Sequence, residues 1–410
     1  MTGPVYPTRI SFNDAERILA TVAAGAPTPV ENQPLSRCLG AVLAQALVAP
    51  RDLPGFDNAA MDGFALRAAD AADPGATLAL VGEQFAGARL ELRVGAGECV
   101  RITTGAPMPE GADAVVMKED TEAAGERAIR LARAVMPGQH LRRAGEDLRE
   151  GDTALEAGAV LGPAALGLAA ALGQPTLPVR RRPTVAVFTT GDELVPPGGQ
   201  LLPGQIHDSN RALLMGLLAA DGYEPVAWPV LPDEPARIAA ALGDAASSFD
   251  VVLTCGGVSA GEKDHLPAFL AQAGEIHFWK VRMRPGMPVL AGRLGGAQLL
   301  CLPGNPVSVL ATYLTLGRCL FDGLQARRTP RTRWQARLSC DFEKRHDRLE
   351  FLRGRLDPDG QGGLSVLPNP ADGSHRLHAA SASNALIVLP AEERRFAAGR
   401  VVDVLALARD

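Results

Sequence analysis

Between residues 184 and 324, short apolar runs alternate with stretches of helical period, and this alternation restricts the fold more than any other feature of the chain. The run 184–190 is followed by Gly-Asp-Glu-Leu and then by a helix that Asp208 or Ser209 can cap, with Gly222 beyond its end. A strand at 225–231, a helix at 234–246, a buried strand at 250–254 and a helix from 265 continue the pattern. Two apolar runs within 289–302, joined by Gly295-Gly296, predict a hairpin. Asn305 and Pro306 then open a helix that reaches Leu324. Strands separated by helices of this length predict a parallel, doubly wound α/β sheet. Ligands of such sheets bind at the carboxyl ends of the strands, where Gly191-Asp192-Glu193 and Cys255-Gly256-Gly257 both fall.

The rest of the chain has a different texture. Residues 12–24 have an Asn/Asp cap, an acidic first turn and apolar helical spacing, and a second helix is predicted near 35–46. From 54 to 138 short alternating runs at 77–83, 98–103 and 113–118 are separated by glycine, which predicts a small β-rich module. A helix at 163–172 follows, and the pieces on either side of the β module are expected to pack together around it. Residues 333–408 again predict short strands, as in a small barrel or sandwich. The expected partition is a discontinuous helical and linker domain (1–53 and 139–182), an inserted β-rich domain (54–138), an α/β domain (183–328) and a C-terminal β domain (329–410).

Composition narrows the function. Aromatic residues make up 4% of the chain and its net charge is −5, so it lacks the stacking platforms and broad basic field that nucleic-acid binding requires. The six cysteines are scattered, with no Cys-x-x-Cys pair, which fits a reducing compartment and neither a disulfide framework nor structural zinc. No stretch near Met1 has signal-peptide character, and the most apolar segment, 159–172, is broken by Gly162, Pro163 and Gly167. The expectation is a cytoplasmic protein that binds neither membrane nor nucleic acid.

The chemistry concentrates in residues 254–304. Gly256-Gly257 follows an apolar strand and frees backbone N–H groups to approach an anion, and Ser259 lies beside them. Pro303-Gly304-Asn305-Pro306 opens a helix and offers a second donor site. Between them Lys280, Arg282 and Arg284 alternate with Val281 and Met283, so a regular strand puts all three cations on one face. A basic strand face is commonly only solvated and a glycine pair only a turn; the co-occurrence carries the weight. Asp62, Asp147, Glu193, Asp233 and Asp264 sit in loops, as oxygen ligands for Mg²⁺ do, although turn formation accounts for most such acids. No zinc-type histidine spacing, nucleophile elbow or P-loop is present. These residues predict an anionic, phosphorylated ligand accompanied by a divalent cation.

Six motifs in order span nearly the whole chain: Pro54 to Ala65 (Pro-Gly-Phe-Asp-Asn-Ala-Ala-Met-Asp-Gly-Phe-Ala), Thr103-Thr104-Gly105-Ala106-Pro107, Arg142-Arg143-Ala144-Gly145-Glu146-Asp147, Thr190-Gly191-Asp192-Glu193-Leu194, Gly256-Gly257-Val258-Ser259, and Leu302-Pro303-Gly304-Asn305-Pro306-Val307-Ser308. Together they resemble the MoeA family of molybdopterin molybdenumtransferases. The resemblance implies an elongated homodimer with four domains per subunit, the discontinuous domain serving dimerisation and the α/β domain binding molybdopterin. It also implies an enzyme that inserts molybdate into adenylylated molybdopterin and releases AMP in a Mg²⁺-dependent step. Asp62, Thr104 and Asp147 match family functional positions, as do Glu193, Asp233, Asp264, Lys280, Pro303 and Pro306. On this resemblance Asp62, Asp147, Glu193 and Asp264 are catalytic, with Glu193 and Asp264 orienting Mg²⁺ or water. Thr104, Asp233, Gly256, Gly257, Ser259, Lys280, Arg284, Pro303, Pro306 and Ser308 bind substrate, and Asp62 reaches the neighbouring subunit's cleft. The adenylyltransferase and the molybdoenzymes that accept the cofactor are the implied partners.

The chain departs from the family at one place: where the family reads Lys-Pro-Gly-Lys, it has Arg284-Pro285-Gly286-Met287, which removes the second charge. The resemblance implies that this loss weakens molybdate binding, shifts the charge's role to Arg282 or Arg376, or marks a divergent paralogue. Two rival readings are the adenylyltransferase activity of a related α/β domain and a non-catalytic dimeric scaffold. A single glycine loop, at 255–259, and intact acidic loops favour insertion over both.

Overall fold

The computed structural model describes residues 6–87, 90–259, 264–371 and 373–407. Its centre is a seven-stranded mixed sheet. Four strands are parallel, in the spatial order Pro225–Ala227, Val185–Thr189, Val251–Cys255 and Ala297–Leu302. The hairpin turning at Gly295-Gly296 then brings in Leu290–Leu294 antiparallel, and Glu275–Val281 pairs antiparallel to that. Only Leu290–Leu294 therefore runs against the expected parallel sheet, because a two-residue turn can join only antiparallel neighbours.

Alternate residues of each strand feed two cores, as a period of two demands. Val185, Val187, Val251, Leu253, Leu300 and Leu302 face the helices Ser209–Ala220 and Pro306–Leu324. Ala186, Phe188, Val252, Leu299 and Cys301 face Pro235–Ser248 and Leu266–Ala273 on the other side. The Pro306–Leu324 helix is apolar enough to cross a bilayer, but it is mostly buried in the first core; Val309, Leu316 and Phe321 are fully enclosed. Its middle turn, Tyr313–Gly317, is wound as a π-helix.

The N-terminal segment joins this unit. Thr8–Ile10 extends the sheet in parallel beside Glu275–Val281, and helix Phe12–Ala24 buries Phe12, Ala15, Leu19 and Ala23 in the first core. Its cap is Ser11, whose hydroxyl accepts the Asp14 N–H at 3.1 Å, two positions before the first residue of the predicted Asn13/Asp14 cap. The helix predicted at 35–46 does not form beyond a short 3₁₀ turn, Leu35–Arg37. Gly40 takes a left-handed φ of 72°, and Val42 and Leu43 instead bridge to Val160 and Val179. Strand Val30–Pro34 pairs with Thr176–Arg180, and Cys38, Leu43, Leu161 and Val179 share one small core.

Residues 63–131 form a six-stranded sheet around Leu66, Leu78, Val116 and Leu131. Gly63 is required there: a Cβ at this position would lie 1.8 Å from the Val116 carbonyl oxygen. At the C-terminus, strands Trp334–Leu338, Leu349–Pro358, Leu364–Pro368, Ala385–Leu389 and Val401–Ala406 close into a barrel, since the second also pairs with the fourth. The short strand Met283–Arg284 leaves the α/β unit to pair with Leu349-Glu350 of the barrel. That pairing sets the distance between the two units.

Candidate functional site

The parallel strands end level with one another, with Thr189 opposite Cys255 and Cys255 opposite Leu302. Three turns therefore meet along one edge. The Thr190 N–H donates to the Cys255 carbonyl at 3.1 Å, and the Gly256 N–H donates to the Leu302 carbonyl at 3.0 Å. A cavity of about 530 Å³ opens above them. It gathers Glu193, Asp233 and Asp264 with Gly256, Gly257 and Ser259, and its far wall includes Pro303 and Pro306. The Asp233 N–H donates to Asp192 Oδ1 at 3.2 Å, which ties the two acidic loops together.

Gly256 has φ +99°, and a Cβ there would meet Thr190 Oγ1 at 2.7 Å and the Thr190 carbonyl at 3.1 Å. Both the backbone conformation and the close approach require glycine. Gly256→Ala is expected to lower stability by about 1–3 kcal/mol and to abolish ligand binding in this cavity. Thermal unfolding and a nucleotide titration of the variant check both expectations.

The floor of the cavity is braced by a buried network. Asp208 is 2% exposed and caps helix Ser209–Ala220; it accepts from Arg211 N at 3.1 Å and from Thr189 Oγ1 at 2.6 Å. Asn210 donates to the Gly304 carbonyl at 2.6 Å, so the helix holds the Pro-Gly-Asn-Pro turn in place. The Cys255 and Cys301 thiols are raised by burial, Cys301 to about 11, which leaves both as protonated core groups rather than nucleophiles.

A second cavity of about 360 Å³ adjoins the first and shares Pro288, Pro303 and Asn305 with it. Arg284 and Ser308 line it from the α/β side; Arg348, Arg353 and Ser374 come from the barrel side. Arg353 is 4% exposed and donates to the Arg376 carbonyl at 3.0 Å and to the Ala371 carbonyl. Glu350 lies 3.7 Å from the Arg284 guanidinium and 3.3 Å from His346. Burial, Arg284 and Arg348 push the His346 imidazole down to about 4, so it is neutral at physiological pH. Arg348 donates to the Met287 sulfur at 3.7 Å, so a cation from the barrel side lies beside this methionine.

The basic stripe is not one surface. Lys280 has φ 69°, which breaks the strand alternation. Arg282 is exposed, pairs with Asp347 at 2.9 Å and faces a different hollow. Arg284 alone of the three lines the second cavity. Asp62 and Thr104 form a separate pair in the β module: Asp62 Oδ1 accepts the Thr104 N–H at 2.7 Å and its hydroxyl at 2.9 Å. Asp147 is exposed in a neighbouring loop, where its N–H and that of Gly145 donate to the Leu53 and Pro54 carbonyls. None of these three residues lines either cavity of its own chain.

Among the described residues no three His, Cys, Asp or Glu side chains converge as a metal cage. Mg²⁺ is commonly held by one or two carboxylates together with substrate phosphates and water, and Glu193 and Asp264 in one cavity suit that donor set. Sequence reasoning missed Asn210, Arg348 and Arg353. The last two lie in a charge-rich stretch whose arginines read as solvated surface.

Three family profiles match in order: the MoeA N-terminal region (domains I and II) over residues 10–173, a probable molybdopterin binding domain over 186–321, and the MoeA C-terminal region (domain IV) over 335–407. A molybdopterin molybdenumtransferase of Haemophilus influenzae is 38% identical over 380 residues, covering 92% of this chain and 94% of its own. One from Synechococcus elongatus is 37% identical, covering 97% and 100%. The crystal structure of the molybdopterin biosynthesis MoeA protein from Pyrococcus horikoshii superposes with a TM-score of 0.83 at 28% identity, covering 96% of this chain and 99% of that one. The order of the motifs, the joined α/β and barrel units and these likenesses over nearly the full length agree: the chain belongs to the MoeA family.

Proposed function

We propose that the protein is a molybdopterin molybdenumtransferase that inserts molybdate into adenylylated molybdopterin and releases AMP. The observation that carries this reading is the pair of adjoining cavities, one walled by glycine turns and carboxylates, the other by arginines and serines. The Gly257 N–H, and the close backbone approach that the missing Cβ of Gly256 allows, suit the phosphate of the pterin nucleotide. Arg284, Arg348 and Arg353 suit a tetrahedral oxyanion, because guanidinium forks match its oxygens. Shared walls place the two guests side by side, as a transfer between them requires.

Glu193 and Asp264 would hold Mg²⁺, which when bound neutralises charge at the phosphoanhydride. Asp233, bonded to the Asp192 loop, keeps the acidic rim in register, and Lys280 adds a cation near the glycine turn. The protein works as a cytoplasmic homodimer in which Asp62, Thr104 and Asp147 of one subunit complete the cleft of the other. It receives the pterin from the adenylyltransferase and passes the finished cofactor to molybdoenzyme acceptors.

The deciding experiment supplies purified protein with adenylylated molybdopterin, molybdate and Mg²⁺ and measures AMP. Release that depends on molybdate supports insertion. Absence of release, with the pterin still bound, would instead favour a scaffold.

A further inference from the structure

Regular strands send successive side chains to opposite faces. Glu275–Val281 does not: Phe278 and Val281, three positions apart, are both fully buried in the first core, while Trp279 packs partly buried against the second and Lys280 stays outside both. The chain achieves this by placing Lys280 at φ 69°, a left-handed backbone that residues with a Cβ adopt only at a cost. Neither glycine nor asparagine stands there to relieve it. Strain of this kind persists where surrounding contacts hold it, and it concentrates at working sites.

The surrounding contacts are specific. The Lys280 ammonium lies 4.1 Å from the centroid of the Trp279 ring, a cation–π contact that adjacent residues of a flat strand cannot make. The same indole donates its Nε1–H to the Val258 carbonyl at 2.9 Å. Val258 is 1% exposed and directly follows Gly256-Gly257, so this bond anchors the glycine turn. The Lys280 N–H still donates to the Val289 carbonyl at 2.9 Å, so the strained residue stays tied to the sheet.

We propose that Trp279 is a positioning residue whose indole fixes the Lys280 ammonium and the Gly256-Gly257-Val258 turn to each other, so that both act on the anionic part of the substrate as one unit. This rests on the reading that the glycine-turn cavity binds a nucleotide phosphate. The left-handed conformation at Lys280 is then kept for binding and works against stability.

The test compares Lys280→Gly, Lys280→Asn, Trp279→Phe, Trp279→Leu and the double variant Trp279→Leu/Lys280→Gly in the full-length protein. Calorimetric titration with AMP and Mg²⁺ reads binding, and thermal unfolding reads stability. Lys280→Gly and Lys280→Asn are expected to keep or raise the midpoint, by about 1–3 °C, because they accept positive φ. The same variants weaken AMP binding about tenfold. Trp279→Phe keeps a ring but loses the N–H donor and has a smaller effect. Trp279→Leu weakens binding as much as Lys280→Gly, and the double variant is no worse than either, as residues acting through one device are non-additive. Three results overturn the proposal: unchanged AMP affinity in Lys280→Gly, multiplying effects in the double variant, or a midpoint lowered by Lys280→Gly, which would make the conformation a structural need. Failure of the wild-type protein to bind AMP would instead remove the nucleotide reading itself, and the proposal with it.

Discussion

Asp62→Ala is expected to lower molybdate-dependent AMP release at least about a hundredfold, the scale on which a positioned carboxylate contributes to catalysis, while the fold survives. The residue is exposed, on the turn before Gly63, and its carboxylate accepts two hydrogen bonds from Thr104. The Thr104 backbone N–H and then its hydroxyl hold that carboxylate below the usual range, so it stays charged throughout the working pH. Its removal deletes a surface brace and buries nothing. Neither cavity of its own chain includes it, and the proposed shared cleft assigns it to the partner's site. Mixing Asp62→Ala with Glu193→Ala, each inactive alone, should restore about a quarter of the activity, since random pairing of a two-fold dimer leaves one intact cleft in half of the assemblies. Full activity in Asp62→Ala alone, or no recovery on mixing, would refute the shared cleft.

The parts of the molecule that could be read in advance are those whose determinants are local. The apolar runs at 185–189, 251–255 and 297–302 announce strands, and the glycines after them announce turns, so the first cavity follows from short-range pattern. The Gly295-Gly296 pair likewise fixes a hairpin by turn geometry alone. Residues 35–46 mislead because alanine, valine and leucine suit a helix in isolation, whereas tertiary bridges to Val160 and Val179 win in the folded chain. The second cavity was hidden for another reason. Arg348 immediately precedes, and Arg353 lies within, a barrel strand far along the chain, and the pairing of Met283–Arg284 with Leu349-Glu350 brings them to Arg284. Nothing in the residue pattern marks Lys280 as left-handed, because lysine is a poor choice for positive φ; that conformation comes from the contacts of its neighbours.

Asp221→Ala should destabilise the protein by about 3–5 kcal/mol, because the largely buried Arg318 guanidinium loses its carboxylate and Arg331 keeps only Asp322. Asp221 ends helix Ser209–Ala220 with its side chain only 1% exposed, and Arg318 grips it through two bonds of 2.8 and 2.9 Å. Tyr313, within the π-wound turn, donates to it at 3.0 Å. Arg331 lies 3.5 Å away on the connector to the barrel, and also holds Asp322 at 2.7 and 2.8 Å. One carboxylate thus joins two helices of the α/β unit to the segment that carries the barrel. Burial alone pushes the Asp221 carboxyl up, but the bonds and charges of Arg318 and Arg331 outweigh it and hold it below the ordinary value. A folded value below the unfolded one means the stabilisation is present above about pH 4, the unfolded carboxylate value, and is lost as pH falls through the folded value. Denaturant unfolding of wild type and Asp221→Ala at neutral pH and near pH 3 measures both effects: the gap should narrow in acid. Salt should change it little, since the pair is shielded from bulk ions. The barrel supplies Arg348 and Arg353, so loosening this joint should also widen the second cavity and weaken oxyanion binding before the chain unfolds. If oxyanion affinity in Asp221→Ala were intact under native conditions, the joint would hold the fold without setting the site.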